Sequence, residues 1–316
     1  MFKKMLQAFG VGGPAVDTVL DGAPCRPGGV ATGQVRLSGG SAAVDVQSVV
    51  LTVVAEVESE EADRNFTAEL LRETASGPFR LAEGETREIP FQLHLPWETP
   101  LTAVGGAPLH GMRLGVRTEV AIAKAVDKGD LDPLLVEPLE SQQRVLDAVL
   151  ALGCQFTGAD VEHGQIYGVP QQYPFYQEIE FLPPPQFAGR VNEIELTFVA
   201  RPDSLDVVLE ADKRGGLLRP GHDAFGRFHR THEDALNTDW AAEITGWLEA
   251  VAEHGGAPGF LPHGGHDGGS ALGGAGAALG GAVAGAAAGV VGGMVLGEVV
   301  DEIGDFFEGE EGEEED

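Results

Sequence analysis

From Ala15 to about Pro138 the chain is written with a period of two. In TREIPFQLHLPWETP, Ile89, Phe91, Leu93 and Leu95 alternate with Glu88, Gln92 and His94 until Pro96 stops the pattern. In RLGVRTEVAIA, residues 113–123, Val116, Thr118, Val120 and Ile122 share one side. Successive side chains of a strand point to opposite faces, so this spacing buries one face of a sheet and cannot form the stripe of a helix. Between the runs stands turn chemistry, such as Cys25 to Gly29, which separates strands. VDVQSVVLTVVAEVE reads as a strand with a bend near Gln47 and Ser48. Pro90 has no N–H to donate, which assigns its strand to a sheet edge. DKGDLDP, residues 127–133, reads as a polar loop, and Pro138 marks a domain boundary.

A second strand-rich stretch follows a helix. SQQRVLDAVLALG spaces Val145, Leu146, Val149 and Leu152 as one buried face, with Gly153 as the stop. QEIEF turns Ile179 and Phe181 inward and Glu178 and Glu180 outward. NEIELTFVA does the same with Ile194, Leu196 and Phe198, and LDVVLEADKRGGLL with Leu205, Val207, Leu209 and Ala211, before a hairpin turn over Lys213 to Gly216. Trp240, Ile244, Trp247, Leu248 and Val251 mark a closing amphipathic helix, and Phe2, Met5, Leu6 and Phe9 a short leader helix. The fold class expected is all-β, a tandem of two antiparallel sandwiches: residues 1–138 with the leader helix, and residues 139–254.

Charge separates a third zone, residues 255–316. The formal net charge is -30, from 50 acids against 20 bases, yet no Lys or Arg occurs after Arg230. That sign excludes a nucleic-acid partner held through phosphates. Cys25 and Cys154 fall in different expected domains and read as free thiols of a reducing compartment, so the chain is expected to be cytoplasmic. Gln7 and the glycines after Gly10 interrupt what would be the apolar core of a signal peptide.

The zone itself carries a ladder at every fourth position: Gly269, Gly273, Ala277, Gly281, Gly285, Gly289, Gly293 and Gly297. On a helix this is one smooth ridge of small residues, a surface suited to close helix–helix approach. Gly281, Gly285, Gly289, Gly293 and Gly297 are therefore candidates for self-association in a homo-oligomer or for membrane contact. Glycine is a poor helix former in water, and no basic residue flanks the segment, so a disordered linker is the competing reading. The acidic terminus after Glu308 reads as a solvated, disordered tail.

Chemistry of the common enzyme types is absent: there is no G-x-S-x-G elbow, P-loop, dinucleotide glycine motif or H-E-x-x-H. GHDAFGRFHRTHED offers His222, His229 and His232 as weak metal candidates. His229 and His232 suit one helical turn, but would point apart on a strand. The Asp127, Lys128, Asp130 loop and the Asp212, Lys213, Arg214 hairpin are candidate partner-binding patches, since loops displayed on a rigid sandwich often carry recognition.

Several phrases, in one order, carry a resemblance: FKKMLQAFGVGGPAVDT, REIPFQLHLPWETP, GVRTEVAIAKAVDKGDLDP, PFYQEIEFLPP, NEIELTFVA and LEADKRGGLL. Over about residues 1–250 the chain resembles the bacterial sporulation-control protein family, which has an arrestin-like fold of two β-sandwiches. The resemblance implies a cytoplasmic, non-enzymatic regulator that needs no cofactor and acts through protein contacts in sporulation or cell-division control. Two other classes are weighed against it: a self-assembling or membrane-associated structural protein driven by the tail, and a metal-dependent enzyme centred on the histidines.

Overall fold

The computed structural model describes residues 13–59, 64–123, 128–213 and 224–254. The leader helix, the hairpin turn after Lys213 and the whole glycine-rich zone lie outside the described residues. The described residues all belong to one compact unit and are mostly strand.

In the first half the strands are β1 (Ala15–Leu20), β2 (Val30–Ser38), β3 (Val44–Ser59), β4 (Arg64–Ser76), β5 (Phe79–Leu81), β6 (Thr86–His94), β7 (Ala103–Val104), β8 (Ala107–Pro108), β9 (Leu114–Ile122) and β10 (Lys128–Pro133). β1, β2 and β6 form one sheet, in that order. β10, β9 and β3 form the other, with β4 and β5 also paired to β3. Among the described strands β6 pairs with β2 alone, Pro90 lying opposite Gln34, so the proline takes the edge position its missing donor requires. The facing sides carry Val35, Leu37, Val53, Leu93, Val116 and Val120, all buried in one continuous core. The bend expected near Gln47 is a bulge: the register against β9 shifts between Val46 and Ser48, and β3 runs through it as one strand.

One local expectation is corrected. Residues 128–133 are not a loop but the edge strand β10, paired with β9 from Lys128 opposite Val120 to Pro133 opposite Gly115. An edge strand on a half-solvated sheet needs little apolar content, and here Leu131 alone turns a large apolar side chain inward. Composition therefore disguised it.

The second half contains α1 (Glu140–Ala151), β11 (Gln155–His163), β12 (Phe175–Leu182), β13 (Val191–Ala200), β14 (Ser204–Lys213), β15 (Ala224–Thr231), α2 (His232–Asn237) and α3 (Trp240–His254). The strands pair antiparallel in chain order and continue the larger sheet of the first half through one parallel bridge, Glu162 of β11 opposite Glu58 of β3. Their inner face presents Ile179, Phe181, Ile194, Leu196, Leu205, Val207 and Leu209, all buried. The layer completing this sandwich is helical. Trp240 of α3 meets Phe228 of β15 edge-on at 5.9 Å, and Trp247 lies over Gly226, where a Cβ would come within 2.6 Å of its ring nitrogen. Burying such side chains contributes about 2–3 kcal/mol each. Gly153 ends α1 at φ +93, with Gly153 N–H donating to Leu150 O and Cys154 N–H to Val149 O, the paired bonds of a Schellman stop.

Candidate functional site

The second half carries three features of chemical interest: the histidines, the loop that straps the sheet, and the outer acidic face. His229 and His232 do not converge. His232 opens α2, and its Nε2 lies 2.8 Å from the carbonyl of Arg201. A carbonyl only accepts, so Nε2 carries a proton, and Nδ1 hydrogen-bonds the Ser141 hydroxyl at 2.8 Å. Both ring nitrogens are thereby used. The ring also packs against Trp97 of the first half, with centroids 5.8 Å apart. His229, on β15, turns instead to Asp206, with Nδ1 at 3.2 Å. His222 lies outside the described residues.

Asp206 is only 1% exposed, and a buried carboxylate requires compensating charge. Arg201 pairs with one of its oxygens, and Arg227 stands 4.0 Å from the other. These arginines also reach over the sheet to a loop, Arg201 donating to Pro170 O at 3.0 Å and Arg227 to Gly168 O. Under that loop Val169, Val199 and Val208 form a small second core with Ile166. The same loop is tied to the first half, because Glu98 accepts from the N–H groups of Gln172 at 2.8 Å and Tyr173 at 3.3 Å. The Tyr173 hydroxyl donates to Leu70 O at 2.6 Å. Nearby, Gln177 makes two 2.8 Å bonds to the backbone of Leu101. The halves are thus held together by directional polar contacts as well as by apolar burial.

The outer face of the second sheet is acidic. Asp160 lies opposite Glu178, Glu180 opposite Glu195, and Glu195 opposite Glu210. Burial, and then neighbouring carboxylates, push these groups up: Asp160 and Glu195 to about 7 and Glu178 further, to about 10. Carboxylate oxygens of Glu178, Glu195 and Glu210 lie within 4.8 Å of one another, a hard-donor set of the kind that holds Ca²⁺ or Mg²⁺. A cation there would have to displace the proton on Glu178, so its affinity would rise with pH. The sequence carried a signal for this face that single motifs hide: acids at alternate positions in QEIEF, NEIEL and LEADK share one side of adjacent strands.

The expected partner-binding residues fall far apart in the sheet order. Lys128 and Asp130 belong to β10 at one end and Asp212 and Lys213 to β14 near the other, while Asp127 and Arg214 lie outside the described residues. Asp130 is half-buried and accepts from the Thr18 N–H at 2.8 Å, tying β1 to β10. Its neighbour Asp132 is pushed up to about 7 by burial and by the charge of Asp130. Cys25 and Cys154 are free and buried, and burial raises both thiols, which makes them poor nucleophiles. The candidate self-association glycines, Gly281 to Gly297, lie outside the described residues. Among the described residues no helix is long and apolar enough to cross a membrane.

Comparisons with known proteins agree with this architecture. The family model for the SpoOM protein, Spo0M, matches residues 2–215. The sporulation-control protein spo0M of Bacillus subtilis (strain 168) is 32% identical over 222 residues, covering 69% of this chain and 83% of that protein. The crystal structure of Spo0M from Bacillus subtilis superposes with a TM-score of 0.64 at 25% identity, over 76% of this chain and 99% of that one.

Proposed function

The chain belongs to the Spo0M family of sporulation-control proteins, and from that premise we propose that it is a non-enzymatic regulatory adaptor, working in the cytoplasm by binding other proteins in sporulation or cell-division control. The observation that carries the reading is the edge of the second sheet. β15 pairs with β14 and with no other described strand, and an extended partner segment can add to such an edge through main-chain bonds while side chains on alternate positions select it. Arg227, His229 and Arg230 stand on this strand, paired to Asp206 and Glu243, and charged side chains on an edge discourage edge-to-edge aggregation. What supports binding over turnover is that, among the described residues, His232 is bonded through both ring nitrogens and the two thiols are buried. This mechanism calls for no cofactor.

The test is site-specific photocrosslinking of the full chain in its native host, with the reactive residue placed in turn at Arg227, His229 and Arg230. Adducts to one protein from these positions, and none from Glu88 on β6, are expected. Equal labelling from all four positions, or none, counts against the reading. A second reading rests on the spacing of the tail: its every-fourth-residue ridge would make residues 255–316 an assembly or membrane-association element attached to the adaptor.

A further inference from the structure

The two sheets of the first half meet at an edge where β1 lies beside β10, and among the described residues no backbone ladder joins these strands. Two side-chain contacts close that edge instead. The Thr18 N–H of β1 donates to Asp130 Oδ2 at 2.8 Å, and the hydroxyls of Thr18 and of Thr118 on β9 lie 2.6 Å apart, both residues buried. Asp130 stands opposite Thr118 and Asp132 opposite Val116, so the two acids share one side of β10. Asp132 Oδ2 is closed off from solvent and has no donor within reach. An ionised oxygen is costly in such a place, whereas a protonated carboxyl brings its own donor. The acceptor beside it is Asp130, with which its side chain hydrogen-bonds. Among the described side chains the other charges give no relief. Asp17 of β1 adds a third carboxylate to the field, Arg36 opposite Asp17 is paired with Glu88, and Arg117 of β9 is paired with Glu69 and Glu119.

We propose that Asp132, Asp130 and the Thr18 amide form a proton-dependent latch on this edge: a protonated Asp132 donates to Asp130, Asp130 holds β1 through the Thr18 N–H, and loss of the proton parts β1 from β10. β1 keeps its ladder with β2 and β10 its ladder with β9, so each sheet stays intact and only the edge between them opens. The direction follows from linkage. Burial and the charge of Asp130 raise Asp132 to about 7 while the edge is closed, and hydration returns it toward the ordinary carboxylate value of about 4 once the edge opens. The closed edge therefore binds more protons and is favoured as pH falls. Between pH 6 and pH 8 the opening equilibrium rises up to about tenfold for one such group, less where water screens it.

The Thr18 amide is itself the reporter, because its hydrogen exchanges only when it leaves Asp130. Hydrogen exchange of the full chain at pH 6, 7 and 8, corrected for the intrinsic rate, should show this amide losing protection up to about tenfold across that range. Asp132→Asn keeps the shape and supplies a permanent donor, so it should hold the amide protected and flatten the response. Asp160→Asn removes a carboxyl raised as far but placed on β11 of the second half, and should leave the response at Thr18 as in the wild type. A flat wild-type response overturns the proposal, and so does a response that survives in Asp132→Asn. A response lost equally in Asp160→Asn also overturns it, since the amide would then exchange through unfolding of the whole unit. If Asp132→Asn does not fold, the carboxyl carbon of Asp132 in the wild type decides by nuclear magnetic resonance. It should titrate at about 7 in step with the Thr18 amide, and a midpoint at about 4, the ordinary value, overturns the latch alone.

Discussion

Trp97 and His232, from opposite halves of the chain, stack with ring centroids 5.8 Å apart and planes tilted by 33°. The contact carries further than two rings, because His232 also ties α1 through Ser141 and the end of β13 through Arg201. Truncating it removes three attachments at once. His232→Ala should destabilise the protein by about 1–3 kcal/mol, combining lost packing with a half-buried carbonyl left unpaired. Chemical denaturation of the full chain measures this, and a loss below half a kilocalorie would show that the junction does not depend on the ring.

Trp97 has a second dependence. Gly28 holds φ +70, and a Cβ there would come within 2.4 Å of the Trp97 ring. Gly28→Ala should cost at least about 2 kcal/mol, from left-handed strain together with steric displacement of the indole. A lowered melting temperature with altered tryptophan fluorescence is the expected result.

Asp206 neutralises two arginines that hold the 164–174 loop. Removing it takes the buried partner from two arginines that are themselves part-exposed, so Asp206→Ala should cost about 1–3 kcal/mol, the range of a lost charged hydrogen bond partly screened by water. Limited proteolysis should then cut first within residues 164–174, where the clamps to Gly168 and Pro170 have lost their anchor. Cutting elsewhere first would show that the strap is held by its small apolar core alone.

Stability should fall as pH rises through neutrality. Asp132, Asp160 and Glu195 have folded-state values raised to about 7, so the folded chain holds protons the unfolded chain releases. Their destabilising effect begins above the ordinary carboxylate range near pH 4 and is complete only above about pH 7. Denaturation midpoints at constant ionic strength should be higher at pH 6 than at pH 8, and the double variant Asp160→Asn, Glu195→Gln should narrow the difference.

The tail has its own discriminating measurement. Flotation with vesicles, lost on truncation to residues 1–254, would identify a membrane-association element; large soluble particles lost on truncation would identify an assembly element. Gly285→Leu with Gly289→Leu should abolish either behaviour if the four-residue spacing forms a packed ridge. Behaviour unchanged by both alterations would rule the ridge out.

Much of the architecture was legible because burial writes itself into strands at a spacing of two. Val116 to Ile122, Leu205 to Ala211 and the face of α3 from Trp240 to Val251 all lie buried as their periodicity requires. Pro90 announced its edge because a missing donor has one tolerable place in a sheet. β10 was illegible for the opposite reason: its order comes from hydrogen bonds to β9 and from Asp130 accepting from Thr18, backbone and long-range terms that leave no mark on hydropathy.

The sequence by itself determined which face of each strand turns inward, where α1 stops, the acidic balance and the family, since these depend on neighbouring residues or on the order of short phrases. Tertiary structure alone decided that His232 serves Ser141, Arg201 and Trp97 instead of joining His229, and that acids from four strands and the end of β3 gather on one face. Those outcomes depend on register and on contacts between residues far apart in the chain. Hydrophobic spacing says which side of a strand is buried; it is silent on which strand lies beside it.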